Sequence, residues 1–224
     1  MLVSEAVRSR KTIRAFDARP VAPHAVREIL ELATRAPSGG NLQPWRVYVL
    51  TGAARDELVR RVHARMTDTP LGDTPEYHIY PPGLTEPYKA RRVRVGKQLY
   101  TALGIPRGDK AAMLAQLNRN FEFFGAPVGL IFTMDRQMQQ GQWVDLGMFM
   151  QTIMLLARER GLHTCPQEAW ARWHRAIREY LEIPGHEMIF CGMGIGYAEE
   201  DAPANSFASE RAPLAEIATF RDRP

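Results

Sequence analysis

The spacing of apolar positions along the chain predicts more helices than strands. Apolar residues recur at helical intervals between Pro23 and Pro37, and similar patterns predict helices across residues 53–65, 90–103 and 110–124. Short apolar runs rich in β-branched residues predict strands at 45–51, 127–133 and 188–197. These strands are dispersed among the helices without a regular strand–helix–strand alternation. The order therefore predicts an α+β fold, a sheet flanked by helices, rather than a doubly wound parallel sheet.

Two later helices are predicted to be largely covered. Residues 145–160 form a helix that is apolar on almost every side and that Gly161 ends, so the core or a second subunit must cover most of its faces. Further on, Trp170, Trp173, Ile177 and Leu181 mark one face of another helix. Beyond residue 203 the tail is polar and shows little periodicity.

Residues 68–88 have a different character, with five prolines interleaved with Tyr77, Tyr80 and Tyr88. This composition predicts a long irregular segment. An irregular segment of this length within a compact fold is usually functional or disordered. We expect a lid over a ligand, with a loosely held surface excursion as the alternative.

Composition and charge exclude several classes of protein. The chain is 45% apolar and 24% charged, with a net charge of +4, which favours a globular protein over a dedicated nucleic-acid binder. Its two cysteines provide neither a disulfide framework nor a zinc motif, so we predict no metal site and a reducing cytoplasm as the setting. The N-terminus lacks the apolar core of a signal peptide, and the apolar stretches are shorter than a bilayer span, so we expect no membrane segment.

The segment RSRKTIR, residues 8–14, is the first candidate for chemistry. If it is extended, Ile13 turns inward and the opposite face carries Arg8, Arg10, Thr12 and Arg14. Guanidinium groups and a hydroxyl on one face would hold an anion. A solvated basic helix end would show the same pattern, and the residues alone do not separate the two interpretations.

Two other segments offer main-chain amides beside polar side chains. In APSGGNLQPW, residues 36–45, the glycines let the backbone approach a flat ligand closely, although an ordinary helix-to-strand turn has the same composition. CPQEAW, residues 165–170, lies before a predicted helix, so its N–H groups can donate to a ligand or to water.

The glycines of GMGIGY, residues 192–197, resemble a nucleotide loop only superficially. A dinucleotide fingerprint requires a helix directly afterwards, and AEEDAPAN follows instead. We interpret the segment as a strand whose glycines permit close packing. Cys165 is expected to be a small buried thiol rather than a nucleophile.

Taken in order, these segments resemble the FMN-dependent nitroreductase family. The matching pieces are RSRKTIRAF, APSGGNLQPW, CPQEAW, and GIGYAEE followed by SERAPL, and they span nearly the whole chain. Residues 80–112 further resemble a subgroup that acts on nitroaromatics such as nitrobenzoates. The resemblance implies one nitroreductase domain over residues 1–224, with a central, mostly antiparallel sheet. It also implies an intertwined homodimer in which an extension from about residue 203 wraps the partner.

The resemblance also implies where FMN binds. Arg10, Thr12 and Arg211 would hold its phosphate, with Arg211 reaching across from the partner, and Arg14 would meet the pyrimidine edge of the isoalloxazine. A backbone N–H near Gln167 or Glu168 would face N5, and no side chain is predicted to be catalytic. Tyr80 and Tyr88 would form the substrate lid. The predicted cofactor-binding residues are Arg10, Lys11, Thr12, Arg14, Pro37, Ser38, Gly39, Asn41, Gln43, Pro166, Gln167, Glu168, Ser209 and Arg211.

The implied activity is a ping-pong transfer of hydride from NADPH or NADH to a nitroaromatic, quinone or similar electron-poor acceptor. The chain departs from the family pattern at Ser209, where some members have lysine, which leaves the phosphate clamp one charge weaker. Thr12 replaces the acidic residue of flavin-cleaving relatives and so argues against that activity. Two alternatives remain: a flavin-dependent enone reductase or maturation oxidase, and a basic nucleic-acid-binding module that uses KARRVRVGK, residues 89–97.

Overall fold

The computed structural model describes residues 1–221, so the last three residues of the predicted C-terminal extension lie outside the described part. Helices and strands alternate irregularly along the chain. The elements are α1 (Val3–Ser9), α2 (Pro23–Ala33), β1 (Arg46–Thr51), α3 (Gly52–Met66), α4 (Tyr88–Ala102), α5 (Lys110–Asn118), β2 (Val128–Asp135), α6 (Gln140–Glu159), β3 (His163–Gln167), α7 (His174–Leu181), β4 (Glu187–Gly196) and α8 (Leu214–Ile217).

The four strands form one sheet in the order β1-β2-β4-β3, and every neighbouring pair is antiparallel. This arrangement confirms the predicted α+β class and its antiparallel sheet. Beyond β3, the N-terminal segment adds a parallel bridge between Thr12 and Thr164. Residues near the start of the chain therefore lie beside the strand that ends at Gln167.

The sheet separates two hydrophobic layers because successive side chains of a strand point to opposite faces. On β2, Leu130 and Phe132 pack into the layer that contains residues of α2 and α6, whereas Ile131 packs into the layer that contains residues of α3 and α7. All three side chains are fully buried. β2 is therefore apolar from Val128 to Phe132 because both of its faces are covered there.

The glycines of β4 leave space for bulky neighbours, as the sequence predicted. A Cβ at Gly192 would overlap Cδ1 of Trp170 and lie 2.9 Å from its Nε1. A Cβ at Gly196 would lie 2.6 Å from Cδ of Pro127. The glycines thus let a tryptophan and a proline pack directly onto the backbone of the strand.

Several predicted boundaries were wrong. The helix predicted across 110–124 ends at Asn118, and a 3-10 turn follows in which Phe123 and Phe124 adopt non-helical φ of +52° and +53°. Both aromatic side chains are buried, so core packing holds a backbone conformation that the periodicity could not reveal. The face from Trp170 to Leu181 is likewise divided between a 3-10 turn and α7.

The N-terminal helix α1 was not predicted. It contains Arg8, so the expectation that Arg8 shares an extended face with Arg10 was wrong. The extended segment begins only at Arg10, whose φ and ψ are −66° and 121°.

Candidate active site

A cavity of about 1330 Å³ opens where the N-terminal segment, the end of β3, α4 and α6 meet. We call residues 68–87, many of which line it, the roof segment. The rest of the lining includes Arg14 and the run from Pro166 to Glu168. Two of the sequence-predicted segments, more than 150 positions apart, are therefore brought to the same space.

The N-terminal segment is held against β3 by its backbone. The N–H of Ile13 donates to the carbonyl oxygen of Thr164 over 3.1 Å, and the Ile13 side chain is fully buried. Since side chains alternate in extended chain, burial of Ile13 turns its two neighbours, Thr12 and Arg14, the other way. The predicted inward position of Ile13 is confirmed, and Arg14 lines the cavity.

Asn205 joins the C-terminal tail to this segment and was missed by sequence reasoning. Its buried side chain accepts from the N–H of Arg14 over 2.8 Å and donates to the carbonyl oxygens of Ala15 and Glu199. The ammonium group of Lys11 also donates to the Asn205 carbonyl oxygen over 2.5 Å. A single asparagine in a polar tail carries no pattern that would have singled it out.

Arg10 and Arg211 lie within electrostatic reach of each other in one chain. Burial lowers the pKa of the Arg10 guanidinium from its ordinary value, and repulsion by the positive charge of Arg211 lowers it further. Arg211 is exposed and donates to the carbonyl and hydroxyl oxygens of Ser209. Two neighbouring guanidinium groups with free donor capacity provide a binding place for a phosphate-like anion.

At the end of β3, the side-chain amide of Gln167 lies at the cavity. Gln167 is buried and donates through Nε2 to the carbonyl oxygen of Asn120 over 2.7 Å. Its Oε1 is also buried and accepts no hydrogen bond from any residue between 1 and 221, so it can accept one from a bound molecule. Glu168 follows at the cavity wall, where partial burial raises the pKa of its carboxyl group.

The roof segment contains neither helix nor strand, as predicted, but side chains anchor it. Buried Asp73 accepts from the N–H of Arg175 over 3.0 Å, and Glu76 forms an ion pair with Arg136. Tyr77 stacks on Phe190 and donates its hydroxyl to the carbonyl oxygen of that residue over 2.6 Å. These anchors argue against the loosely held excursion.

The two tyrosines predicted as a lid lie in different places. Tyr80 belongs to the roof segment and lines the cavity. Tyr88 is the first residue of α4, is 59% exposed, and is not among the residues that line the cavity. In a single chain, Tyr80 alone of the two is positioned to contact a molecule there.

The turn at residues 37–43 lies away from the cavity of its own chain. The Gly39 N–H points to the Asp145 carboxylate, 3.2 Å from its nearer oxygen, and the Ser38 hydroxyl accepts from the Gln43 N–H. On α6, Gly147 and Met150 line the cavity, whereas Asp145 lies roughly 160° around the helix from Gly147 at 100° per residue. Within one chain, the helix therefore separates Pro37, Ser38, Gly39, Asn41 and Gln43 from the cavity.

The basic run 89–97 does not form a continuous positive surface. It lies within α4, where Arg91 pairs with Glu216 and Arg94 pairs with Glu210, each over 2.7 Å. These pairs hold the tail against one face of α4. Arg92 lies on another face and lines the cavity. The arrangement weakens the nucleic-acid alternative, which requires these cations to face a phosphate backbone.

The cysteines are not poised for nucleophilic chemistry. Both are free and buried, and burial raises the pKa of the Cys165 thiol to about 12 and that of Cys191 well above its ordinary value. A thiol with so high a pKa holds its proton at neutral pH. Cys165 is therefore the buried thiol that the sequence predicted. Among the helices of residues 1–221, none is both long and apolar enough to cross a bilayer.

Comparison with known proteins agrees with this geometry. Residues 7–197 match the model of the nitroreductase family. The chain is 40% identical to a nitrobenzene nitroreductase of Ectopseudomonas oleovorans, over 97% of this chain and 96% of that protein. It is 43% identical to a 4-nitrobenzoate reductase of Nocardioides sp. (strain LMS-CY), over 96% of this chain and 87% of that protein.

A solved structure shows the same fold over its full length. The FMN- and NADPH-dependent nitroreductase NfnB from Sphigopyxis sp. strain HMH superimposes with a TM-score of 0.96 at 43% identity, covering 100% of both chains. The resemblance found in the ordered segments is thereby confirmed, including its similarity to reductases of nitroaromatics. The chain belongs to the nitroreductase family.

Proposed function

We propose that this chain is an FMN-dependent oxidoreductase that uses NADPH or NADH to reduce nitroaromatic, quinone or similar electron-poor acceptors. The observation that carries the proposal is that Arg14 and Gln167 line one cavity, where Asn205 near the other end of the chain binds the Arg14 N–H. Residues from both ends of the chain meet there. The relatives named for nitroaromatic reduction, and the solved FMN- and NADPH-dependent enzyme, support the same activity.

The residues fit FMN in charge and in donor type. The paired guanidinium groups of Arg10 and Arg211 repel each other, and a dianionic phosphate between them relieves that repulsion. Arg14 faces the cavity with a positive charge that favours an anionic ring system, and the buried Oε1 of Gln167 provides an acceptor for a ring N–H. Thr12 and Ser209 add hydroxyl groups next to these arginines in the sequence.

Bound FMN supplies hydride chemistry, and the chain supplies position and charge. The backbone around Gln167 and Glu168 is held by the β3–β4 ladder, so an N–H from it keeps one orientation toward the ring. Arg14 is fixed through its own N–H by Asn205. The roof segment would limit the access of water to a bound flavin, and Tyr80, which lines the cavity, would contact the acceptor.

We also propose that the working unit is a homodimer of single-domain chains. Because α6 separates the turn at 37–43 from the cavity of its own chain, Ser38, Gly39 and Asn41 reach a flavin only in the site of a second copy. Exposed apolar side chains supply the interface, among them Val3, Val7, Val144, Ile217 and Phe220. The two free, buried thiols suit a cytoplasmic setting.

The FMN assignment is tested with flavin-free protein. Titration with FMN, followed by quenching of flavin fluorescence, should show affinity falling about 10- to 100-fold for Arg10→Ala and for Arg211→Ala, because each loses a hydrogen bond to a charged group worth about 1.5–3 kcal/mol. Exposed Arg107 provides the matched control, and Arg107→Ala should bind FMN like the parent protein.

The outcomes separate the parts of the proposal. Unchanged affinity in both variants would overturn the phosphate assignment. A parent protein that takes up no FMN, or that fails to oxidise NADPH and NADH with a nitroaromatic, would overturn the function itself. Sedimentation at micromolar concentration should give twice the chain mass of 25.4 kDa, and a monomer would overturn the shared site.

A further inference from the structure

The cavity has an excess of positive charge that flavin binding alone does not use. Arg14, Arg92 and Arg172 line it, whereas its carboxylates are Glu76 and Glu168. Glu76 is already paired with Arg136, and burial raises the pKa of Glu168, which disfavours its charged form. Three guanidinium groups against two carboxylates, one of them paired with Arg136, leave an anion in the cavity with net attraction.

Arg92 differs from the other arginines of α4 in what it faces. Arg91 and Arg94 are neutralised by Glu216 and Glu210 of the tail. Arg92 lies about 100° around the helix from Arg91, on the side that Leu99 also occupies seven residues later, and both residues line the cavity. Within residues 1–221, no aspartate or glutamate oxygen lies within 4.0 Å of its guanidinium nitrogens.

The Arg92 guanidinium is also held in place by the roof segment. Its Cζ lies 3.9 Å from the centroid of the Tyr80 ring, which is the geometry of a cation–π contact. Stacking restrains the plane of the guanidinium and leaves the N–H groups at its edge free to donate. A planar fork of N–H donors matches the two oxygens of a carboxylate.

The walls around Arg92 suit an aromatic molecule. Leu99, Leu114 and Leu117 line the cavity, and so do Tyr77 and Phe190, whose rings stack on each other. Apolar walls with one or two fixed charged groups are typical of sites that orient a small ligand by its polar substituent.

We propose that Arg92 is a specificity-determining residue that binds the carboxylate of an aromatic acceptor, so that the preferred substrates are nitroaromatic acids. The inference rests on the proposed function, since it concerns the acceptor reduced in the same cavity. Held by Arg92 at one end, the acceptor directs its opposite end away from α4. A phosphate of the nicotinamide donor offers the same anionic chemistry, and the experiment separates these two sources.

The test compares 4-nitrobenzoate with its neutral isostere 4-nitrobenzamide in FMN-loaded protein. In Arg92→Gln the ratio of kcat/KM for the acid to kcat/KM for the amide should fall about 10- to 100-fold, the range for losing a hydrogen bond between charged groups. Arg92→Lys should recover part of the ratio because it keeps the charge without the fork. Lys97→Gln removes an exposed charge elsewhere on α4 and should leave the ratio unchanged.

Binding is measured independently with benzoate, which carries the carboxylate but no reducible group. In calorimetric titration, Arg92→Gln should bind benzoate about 10- to 100-fold more weakly than the parent protein. Lys97→Gln should bind benzoate with the affinity of the parent protein. Kinetics with NADPH and NADH complete the test, and we expect the preference between the two donors to stay as in the parent protein.

Two results would overturn the proposal: an unchanged acid-to-amide ratio, whether or not both activities fall, or a change confined to the preference for NADPH over NADH. If the parent protein takes up no FMN, the proposed function fails. The benzoate titration then decides the role of Arg92 alone, with unchanged affinity in Arg92→Gln counting against it.

Discussion

The two sides of the cavity are built in different ways. The wall formed by the N-terminal segment and β3 is fixed by backbone hydrogen bonds to the sheet and by buried Ile13, Gln167 and Asn205. The roof segment has no regular structure and depends on a few side-chain anchors, while Leu71 and Tyr80 remain 72% and 52% exposed. Parts held by few buried contacts open at lower free energy than the sheet. The wall therefore suits a permanent cofactor, and the roof suits a substrate that enters and leaves.

The largest effect is expected where the wall is packed most tightly. Gly192 of β4 pairs with Gln167, and a Cβ there would overlap the buried ring of Trp170. Gly192→Ala should lower the free energy of unfolding by about 3 kcal/mol, as overpacking a full core does. Urea denaturation gives the value. Gly96→Ala, on α4 with open space around it, should instead raise stability by about 0.5–1 kcal/mol, and similar values for both would contradict the packing account.

A smaller loss is expected when the tail is released from the wall. Asn205→Ala removes the hydrogen bonds of the side chain to Arg14, Ala15 and Glu199. Since each bond contributes about 1 kcal/mol or less, the free energy of unfolding should fall by about 2 kcal/mol. FMN affinity should fall in parallel because Arg14 and the tail lose their common anchor. Ser206→Ala, which affects an exposed hydroxyl bonded only to Pro203, should stay within about 0.5 kcal/mol. Equal losses in the two variants would show that Asn205 has no special role.

The wall should also weaken in mild acid. Burial, together with the charges of Arg158 and Lys11, lowers the pKa of His163 from 6.5 to about 4 in the folded chain. As the pH falls, His163 is protonated in the unfolded chain before it is protonated in the folded chain. The folded chain therefore has its full stability above about pH 6.5 and loses part of it as the pH falls toward 4. Because the ring is only half-buried, the free energy of unfolding should fall by about 1–2 kcal/mol. The measurement is the free energy of unfolding as a function of pH, compared between the parent protein and His163→Asn. Parallel profiles for the two proteins would refute it.

The smallest effect is expected in the roof. Tyr77→Phe removes one hydroxyl bond to the Phe190 carbonyl oxygen but keeps the stacked ring, so it should cost about 1 kcal/mol locally. Hydrogen exchange read by mass spectrometry should show residues 74–81 exchanging about five times faster while β3 and β4 keep their protection. Faster exchange throughout the sheet would mean that roof and wall open together.

Three of the four strands of the sheet were easier to predict than the connections between them. The three predicted strands correspond to β1, β2 and β4 because runs of apolar, β-branched residues identify a strand without knowledge of its neighbours. The same use of local patterns failed at Phe123 and Phe124, which were predicted to be helical, because their left-handed backbone is imposed by packing between elements. Asn205 and Arg92 were missed because their importance depends on contacts with residues about 190 and 12 positions away.

The candidate site was predicted mainly through the resemblance of ordered segments. The residues alone did not decide between a helix end and an extended anion-binding strand at 8–14, because Arg8 lies in the last turn of α1 and Arg10 begins an extended segment. The position of the turn at 37–43, on the far side of α6 from its own cavity, had no signature in the sequence. The predicted roles of these residues toward FMN stay predictions that the titrations address.

The attachment of the N-terminal segment by Asn205 has a consequence for biosynthesis. Arg14 is made early, yet the residue that fixes its backbone is translated almost at the end. When the ribosome has synthesised the last strand of the sheet, which ends at Gly196, Asn205 and Arg211 have not yet been added to the chain. If these residues bind FMN as proposed, the flavin site is completed only when the end of the chain has been synthesised.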